Sequence, residues 1–316
     1  GYAGAIFTAV CSRLVVAQSG DLPWRPRATD GVTAFDIQQV AWTSNMKGLI
    51  GSSLSVAAWN GQLVVAAPSA VGSGGHYVTQ PYVAAWNGSD WLSLPTAPSM
   101  VPYKVLVDST GALLCGGWKS PNGLVRRWDG VQWSTLGGTF NAPVSDLAFA
   151  DGALYALGGF YGTGSLCSVA RLADSAWVAP SGCGLYSYWF IPEDLAVSQG
   201  RLVVASGPMD LTCGGAPEAY EISAFFHDAA SGWTYTWPRS SYGLNTPYWL
   251  TAAEFEGRVV FGGDSPEVCL AWDGAWHDMS AGARGVDVLQ VAQSRLFGAG
   301  EFLDADSTTW VYGVGE

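Results

Sequence analysis

The chain has 316 residues, among them 41 Gly and 16 Trp, with 14 Lys plus Arg against 26 Asp plus Glu and a net charge of -12. Only 13% of residues are charged and 49% are hydrophobic, which excludes a disordered chain, poor in aromatics and rich in charge, and a helical bundle, which tolerates little Gly. The acidic balance excludes a nucleic-acid partner, whose affinity rests on basic contacts to phosphate, and no apolar run approaches the ~18 residues that span a bilayer.

One motif recurs along the chain. A short apolar strand and a tight turn are followed by Arg13-Leu14-Val15-Val16, then by Gln62-Leu63-Val64-Val65 and Ala112-Leu113-Leu114-Cys115. The series continues with Ala153-Leu154-Tyr155-Ala156, Arg201-Leu202-Val203-Val204, Arg258-Val259-Val260-Phe261 and Arg295-Leu296-Phe297-Gly298. The copies recur about every 47 residues, inside the range that marks repeat architectures. Their bounds are 4–50, 51–101, 102–142, 143–190, 191–247, 248–284 and 285–316.

Each copy reads as four strands. The first is Val144 to Ala150 in the fourth copy and Leu195 to Val197 in the fifth. Asp151-Gly152 and Gln199-Gly200 supply the turn into the second strand, because such pairs tolerate the positive φ of a two-residue hairpin. Three second strands close on a double Gly: Gly116-Gly117, Gly158-Gly159 and Gly262-Gly263. These pairs are expected where the strand leaves the sheet beside a crowded loop. Third strands end in Trp-Asx-Gly at Trp86, Trp128 and Trp272, with Phe35, Leu172 and Phe226 as the expected replacements elsewhere. A fourth strand opens at or near Trp91, Trp133, Trp177, Trp233 and Trp276. Such Trp pairs suit the seam between twisted sheets, where a large flat ring fills the gap.

A unit of this size cannot bury both faces alone, so the units must stack. The expectation is an all-β fold: a single domain over 1–316 forming a seven-bladed β-propeller of four-stranded antiparallel blades. The last copy stops at Glu316 without a Trp-x-x-Leu segment, so its blade is expected to lack the outer strand, unless residues outside 1–316 supply it.

The apolar strand closing on Gly-Gly, with an aromatic and then a Trp beyond it, resembles kelch-type repeats and the wider galactose-oxidase-like propellers. The run from Val125 to Leu136, Val-x-x-Trp-Asp-Gly-x-x-Trp-x-x-Leu, is also similar to repeats of the fungal cortical polarity marker family of secreted propellers. The resemblance implies the fold and leaves function open, because propellers host unrelated activities.

Six cysteines contain no Cys-x-x-Cys pair, so zinc-type spacing is absent. Cys115 and Cys269 sit in apolar strands and read as buried free thiols. Cys167, Cys183 and Cys213 lie in or beside Gly-rich loops and are the disulfide candidates. The sequon Asn87-Gly88-Ser89 makes Asn87 a glycosylation candidate. Together with a start at Gly1 instead of Met, these features point to an extracellular or cell-surface location and to a piece of a longer chain.

For catalysis only His76, His227 and His277 titrate near neutral pH. No nucleophile elbow, metalloprotease run or phosphate loop is present. The galactose-oxidase resemblance would imply a copper site of two His and a cross-linked Tyr. Only His76 lies on the loop side, so no copper centre is expected. Glu301, Asp304, Asp306 and Ser307 form an oxygen-rich loop with Asp304 and Asp306 as Ca²⁺ candidates, but it lacks the Gly and terminal Glu of an EF-hand loop. Glu193, Asp194, Glu254 and Glu256 read as surface carboxylates.

If the strands alternate in direction, the connections from second to third strands and between repeats share one face. That face carries nearly all the variation in length, and loops on a rigid scaffold are where binding residues concentrate. Its aromatic candidates are Trp24, Tyr77, Trp118, Tyr161, Tyr186, Trp189, Tyr242 and Trp249, residue types that dominate interface hot spots. The expected function is a non-catalytic extracellular propeller acting as a structural, adhesion or protein-interaction module, with no cofactor. Its partners would be proteins or neighbouring domains, or glycans in the alternative of a sugar-binding propeller. A propeller oxidase or glycoside hydrolase is the second alternative.

Overall fold

The computed structural model describes residues 5–10, 13–18, 32–36, 41–43, 55–67, 82–87, 91–94, 99–160, 168–180, 185–186, 192–207, 210–211, 224–236, 249–263, 269–279, 283–292, 295–303 and 310–315. The chain falls into two compact units, Gly1–Ser145 and Asp146–Glu316.

The first unit holds three antiparallel sheets, each formed by consecutive strands in chain order. Sheet I comprises β1 (Ala5–Val10), β2 (Arg13–Gln18), β3 (Val32–Asp36) and β4 (Ala41–Thr43). Sheet II comprises β5 (Ser55–Trp59), β6 (Gln62–Ala67), β7 (Tyr82–Trp86) and β8 (Trp91–Ser93). Sheet III comprises β9 (Val101–Val107), β10 (Leu113–Lys119), β11 (Asn122–Trp128) and β12 (Trp133–Phe140). First strands lie side by side, β1 against β5 and β5 against β9.

In the second unit, sheet IV comprises β13 (Val144–Ala150), β14 (Ala153–Gly158), β15 (Val169–Ala173) and β16 (Ala176–Val178). Between it and the next sheet lies β17 (Leu185–Tyr186), which pairs with β20 (Asp210–Leu211) in a two-stranded ribbon. Sheet V comprises β18 (Asp194–Ser198), β19 (Arg201–Ala205), β21 (Ala224–Asp228) and β22 (Gly232–Thr236). Sheet VI comprises β23 (Trp249–Phe255), β24 (Arg258–Gly263), β25 (Cys269–Trp272) and β26 (Trp276–Asp278). The last, sheet VII, has three strands among the described residues: β27 (Ala283–Ala292), β28 (Arg295–Leu303) and β29 (Trp310–Gly315). Here too β18 lies against β23 and β23 against β27.

The turns follow from residue chemistry. Asn60-Gly61, Asp151-Gly152, Gln199-Gly200 and Glu256-Gly257 all place both residues at positive φ. This is the two-residue turn whose twist matches that of the strands it joins. Turns from third to fourth strands are tied by Asx side chains. Asp129 Oδ1 accepts from the N–H groups of Val131 and Gln132 at 2.8 Å each, and Asp228 Oδ1 from those of Ala230 and Ser231 at 2.8 and 3.0 Å.

The core lies in the seams between neighbouring sheets. Val64, Ala66 and Ala85 of sheet II meet Leu113, Cys115, Leu124 and Trp128 of sheet III. Tyr155, Leu157 and Val169 of sheet IV meet Leu202, Val204 and Phe225 of sheet V. Phe226 of sheet V meets Trp249, Phe261 and Leu270 of sheet VI, and Val260 and Ala271 of sheet VI meet Val286 and Leu289 of sheet VII. The paired Trp rings stand in these seams: Trp128 and Trp133 lie 5.4 Å apart, Trp272 and Trp276 5.1 Å apart.

Two expectations change. In sheet V the residue opposite the fourth-strand Trp233 is His227, not Phe226. Asp228 follows His227 as Asp129 follows Trp128 and Asp273 follows Trp272, so the Asx turn sets the register. The expectation for the double glycines changes for one pair: Gly116 and Gly117 are inside β10, whereas Gly262 and Gly263 close β24 and Gly158 closes β14, at the strand ends. A Cβ on Gly262 would stand 2.6 Å from Val286 Cγ1 of the next sheet, so the glycine permits a close approach of two sheets.

Candidate functional site

The connections that vary in length form the candidate surface, and two of them are joined. Leu185 pairs with Leu211 and Tyr186 with Asp210, so the connection between sheets IV and V is hydrogen-bonded to the connection between β19 and β21. Leu185 is fully buried in the seam cluster of those sheets, and this anchors the ribbon on the core beneath it. Sequence reading placed Tyr186 in a loop and missed the ribbon. The only signal was a pair of two-residue apolar-polar steps inside Gly- and Pro-rich segments.

The other aromatic candidates separate. Trp118 lies in β10, not in a loop; it is half-buried and faces Gly123 and Val101 in the register. Trp249 corrects the expectation of an exposed loop residue. It opens β23 at 0% exposure and stacks on Trp276 at 6.0 Å with an interplanar angle of 18°. Phe160, which precedes Tyr161, is also buried. Trp24, Tyr77, Tyr161, Trp189 and Tyr242 lie outside the described residues, as do Cys167, Cys183, Cys213, Asp304 and Asp306. Asn87 is exposed just after β7. Cys115 and Cys269 are buried free thiols; burial, with Asp278 nearby, pushes Cys269 up to about 11, and burial raises Cys115 further still.

A series of polar side chains, of which sequence reading named Asp194 alone and as a surface carboxylate, ties first strand to first strand. Ser55 Oγ accepts from the Val105 N–H at 3.1 Å, joining sheets II and III. Asp146 Oδ2 accepts from Leu195 N–H at 2.8 Å, and Asp194 Oδ2 from Ala252 N–H at 2.9 Å and from the Thr251 hydroxyl at 3.1 Å. Thr251 Oγ1 in turn accepts from Leu289 N–H at 3.1 Å. Ser55, Asp146, Asp194 and Thr251 each precede their Leu or Val anchor (Leu63, Leu154, Leu202, Val259) by the same interval. A short polar residue at that place was the available signal. Glu193 and Asp194 are therefore not equivalent surface carboxylates: Asp194 is a connector between sheets.

On the opposite ends of the strands, turn binds turn. Asp151 Oδ2 accepts from Ala229 N–H at 3.0 Å, Glu254 Oε2 from Gln199 N–H at 2.8 Å, and Gly257 O from Gln199 Nε2 at 3.2 Å. In the first unit Trp59 Nε1 donates to Gly111 O at 2.8 Å. These groups are engaged with backbone or with the neighbouring turn. Among the described residues no three His, Cys, Asp or Glu side chains are placed to share a metal ion.

His277 lies exposed beside Asp273, Nε2 to Oδ1 at 2.9 Å, with Arg258 on the other carboxylate oxygen at 3.0 Å. The His277 partner lowers the Asp273 pKa first, and the Ala275 N–H and Arg258 act in the same direction. His227 is different in kind: it is 1% exposed, with Tyr155 Oη 3.3 Å from its Nδ1.

No family model matches the chain. None of the curated proteins matches it either. Solved structures do. A catalytically inactive variant of virginiamycin B lyase from Staphylococcus aureus, with quinupristin, is similar over 94% of this chain and 92% of its own, with a TM-score of 0.60 at 8% identity. The β-propeller domain of Cps50 (Swd1) from Myceliophteria thermophila covers 95% of this chain and 94% of its own, with a TM-score of 0.59 at 11% identity. YCF48 bound to D1 peptide covers 94% and 90%, with a TM-score of 0.57 at 13% identity. At such identities the likeness speaks for the fold alone: the chain is a β-propeller of small antiparallel sheets.

Proposed function

We propose that this propeller is a non-catalytic extracellular module that binds protein, with sheets I to VII as seven blades of kelch-like repeats similar to those of secreted fungal propellers. The observation that carries the reading is the ribbon of β17 and β20, which ties two variable connections together and rests on the buried Leu185. A connection already ordered loses less entropy on binding, so it is a better contact surface than a free loop. A propeller of the same fold in complex with a peptide, YCF48 with D1, supports the reading. The exposed Asn87 of the sequon supports the extracellular part.

The test is a photo-crosslinking amino acid placed at Tyr186, in the ribbon, and at Ala230, in the exposed β21–β22 turn at the other end of sheet V. In whole cells, a discrete protein adduct at position 186 and none at 230 is the expected result. Equal or absent labelling at both positions overturns it, and loss of the adduct on adding free sugars moves the reading to a glycan-binding propeller. Expression through a secretory pathway tests location. A glycosidase-sensitive mass on the chain that Asn87→Gln removes is expected, and a chain without glycan overturns that part.

A further inference from the structure

In the register that places Trp128 opposite Trp133, Trp272 opposite Trp276 and Leu172 opposite Trp177, sheet V places His227 opposite Trp233. An imidazole thus stands where the other sheets carry an apolar side chain. It is 1% exposed, and its ring meets Trp233 edge-on at 4.9 Å and Tyr155 of sheet IV at 5.8 Å. Tyr155 Oη is 3.3 Å from Nδ1.

The donors around Tyr155 decide the proton's place. Arg171 of β15 acts on the same Tyr155 side chain, opposing the rise that burial gives its pKa, and a guanidinium only donates. With the guanidinium facing the hydroxyl oxygen, the hydroxyl hydrogen is left to donate to Nδ1 across the 3.3 Å contact when that nitrogen is unprotonated. We propose that His227 makes the seam between sheets IV and V acid-sensitive: neutral, it closes the seam on the Tyr155 hydroxyl; protonated, it sets N–H against O–H beside a guanidinium and loosens the two sheets.

The other charged groups facing the ring come from each element packed on it. Asp151, in the β13–β14 turn, and Asp228, at the end of β21, favour a proton on His227, while Arg171 opposes it. Both carboxylates already accept backbone N–H groups, Asp151 from Ala229 and Asp228 from Ala230 and Ser231. Arg201, heading β19, lies over the Phe226 ring at 5.7 Å and counters Asp228. Burial outweighs the carboxylates and holds His227 below its ordinary 6.5. The unfolded chain takes up the proton near pH 6.5. The stability supplied by the neutral ring is thus present above that pH and is lost as the pH falls through it.

The test compares thermal melting of the full chain with that of His227→Phe, a ring that sheet I carries at the same place as Phe35 opposite Trp42. Between about pH 7.5 and about pH 5, wild-type Tm is expected to fall about 2 to 4 °C more than that of the variant. Parallel Tm curves overturn the proposal. If His227→Phe fails to fold, the double variant His76→Gln/His277→Gln leaves one imidazole for NMR. A midpoint below 6.5 that rises in Tyr155→Phe is expected, and a midpoint at or above 6.5 overturns the proposal.

Discussion

Asp146 Oδ2 accepts a hydrogen bond from Leu195 N–H at 2.8 Å while its Oδ1 accepts from Leu147 N–H at 2.7 Å. One buried carboxylate therefore satisfies a donor on each of two first strands, β13 and β18, and fixes their separation. Buried N–H groups without acceptors are costly, and a charged acceptor strengthens both bonds.

Asp146→Ala removes both acceptors at once. The expected loss is about 2 to 3 kcal/mol, which lowers Tm by roughly 5 to 10 °C for a unit of this size. Hydrogen exchange should locate the effect, with protection lost first at Leu147 and Leu195. A variant with unchanged exchange at Leu195 would show that the bond is replaced by another and that the connector role is wrong.

Trp133 and Trp276 hold the same place in sheets III and VI, yet differ in one bond. Trp276 Nε1 donates to Thr236 Oγ1 at 3.3 Å, on the outer strand of the preceding sheet. Trp133 Nε1 is buried without a partner. The residue of sheet II that corresponds to Thr236 is Leu94, which packs against the same cluster as Trp133 and offers no side-chain acceptor. Leu94→Thr should supply the bond but lose apolar burial. The prediction is therefore a coupling, not a net gain: Leu94→Thr is less costly by about 0.5 to 1.5 kcal/mol with Trp133 present than with Trp133→Phe. A double-mutant cycle by denaturant unfolding measures it, and a coupling of zero rejects the equivalence.

How much of this was legible in sequence follows from the range of the forces. Strands and turns are local, so Val144–Ala150 and the Asp151-Gly152 and Gln199-Gly200 turns emerge with the bounds read from pattern and turn chemistry. Contacts between sheets are not local. Nothing near Trp249 in sequence announces that Trp276 and Phe261 enclose it, and an aromatic after a Tyr- and Pro-containing segment reads equally well as exposed. His227 was misassigned by one residue because Phe226 is the better apolar match, whereas the register is set by the Asx turn that follows. The connectors Ser55, Asp146, Asp194 and Thr251 share a position but not a residue type, and a pattern sought by identity passes over them.

Asp108 gives the first unit its own pH dependence. The carboxylate accepts from Thr110 N–H at 2.8 Å, the Thr110 hydroxyl at 2.6 Å, Ala112 N–H at 2.9 Å and Arg127 Nε at 2.9 Å. Partial burial pushes its pKa up, but these donors outweigh burial and hold it at about 2, against an ordinary 3.8. A depressed carboxyl contributes stability that is present above its unfolded value and lost as pH falls through the folded one. Asp108→Asn should therefore be less stable than wild type by about 1 kcal/mol near neutrality, and the gap should close between about pH 4 and about pH 2. Equilibrium unfolding followed by Trp fluorescence across that range reads the gap directly. A gap independent of pH would show that the ion pair with Arg127 contributes packing only.

Gly262 tests whether sheets VI and VII are held at their closest approach by the absence of a side chain. Its φ is not positive, so backbone strain is not the reason for glycine. The reason is space: a Cβ would stand 2.6 Å from Val286 Cγ1, 2.9 Å from its Cβ and 2.9 Å from its carbonyl oxygen. The side chain could rotate, but the carbonyl belongs to β27 and moves only with the strand. Gly262→Ala should thus cost about 1 to 3 kcal/mol by overpacking, although Ala would otherwise favour a strand interior. Val286→Ala alone loses two methyl groups from a buried position and costs about 1 to 2 kcal/mol. In the double variant the Cγ1 clash is gone while those with the β-carbon and carbonyl of position 286 remain, so Gly262→Ala should be less costly on the Val286→Ala background, yet still destabilising. If it becomes neutral there, the Val286 methyl alone sets the approach. If its cost is the same on both backgrounds, the β27 backbone sets it.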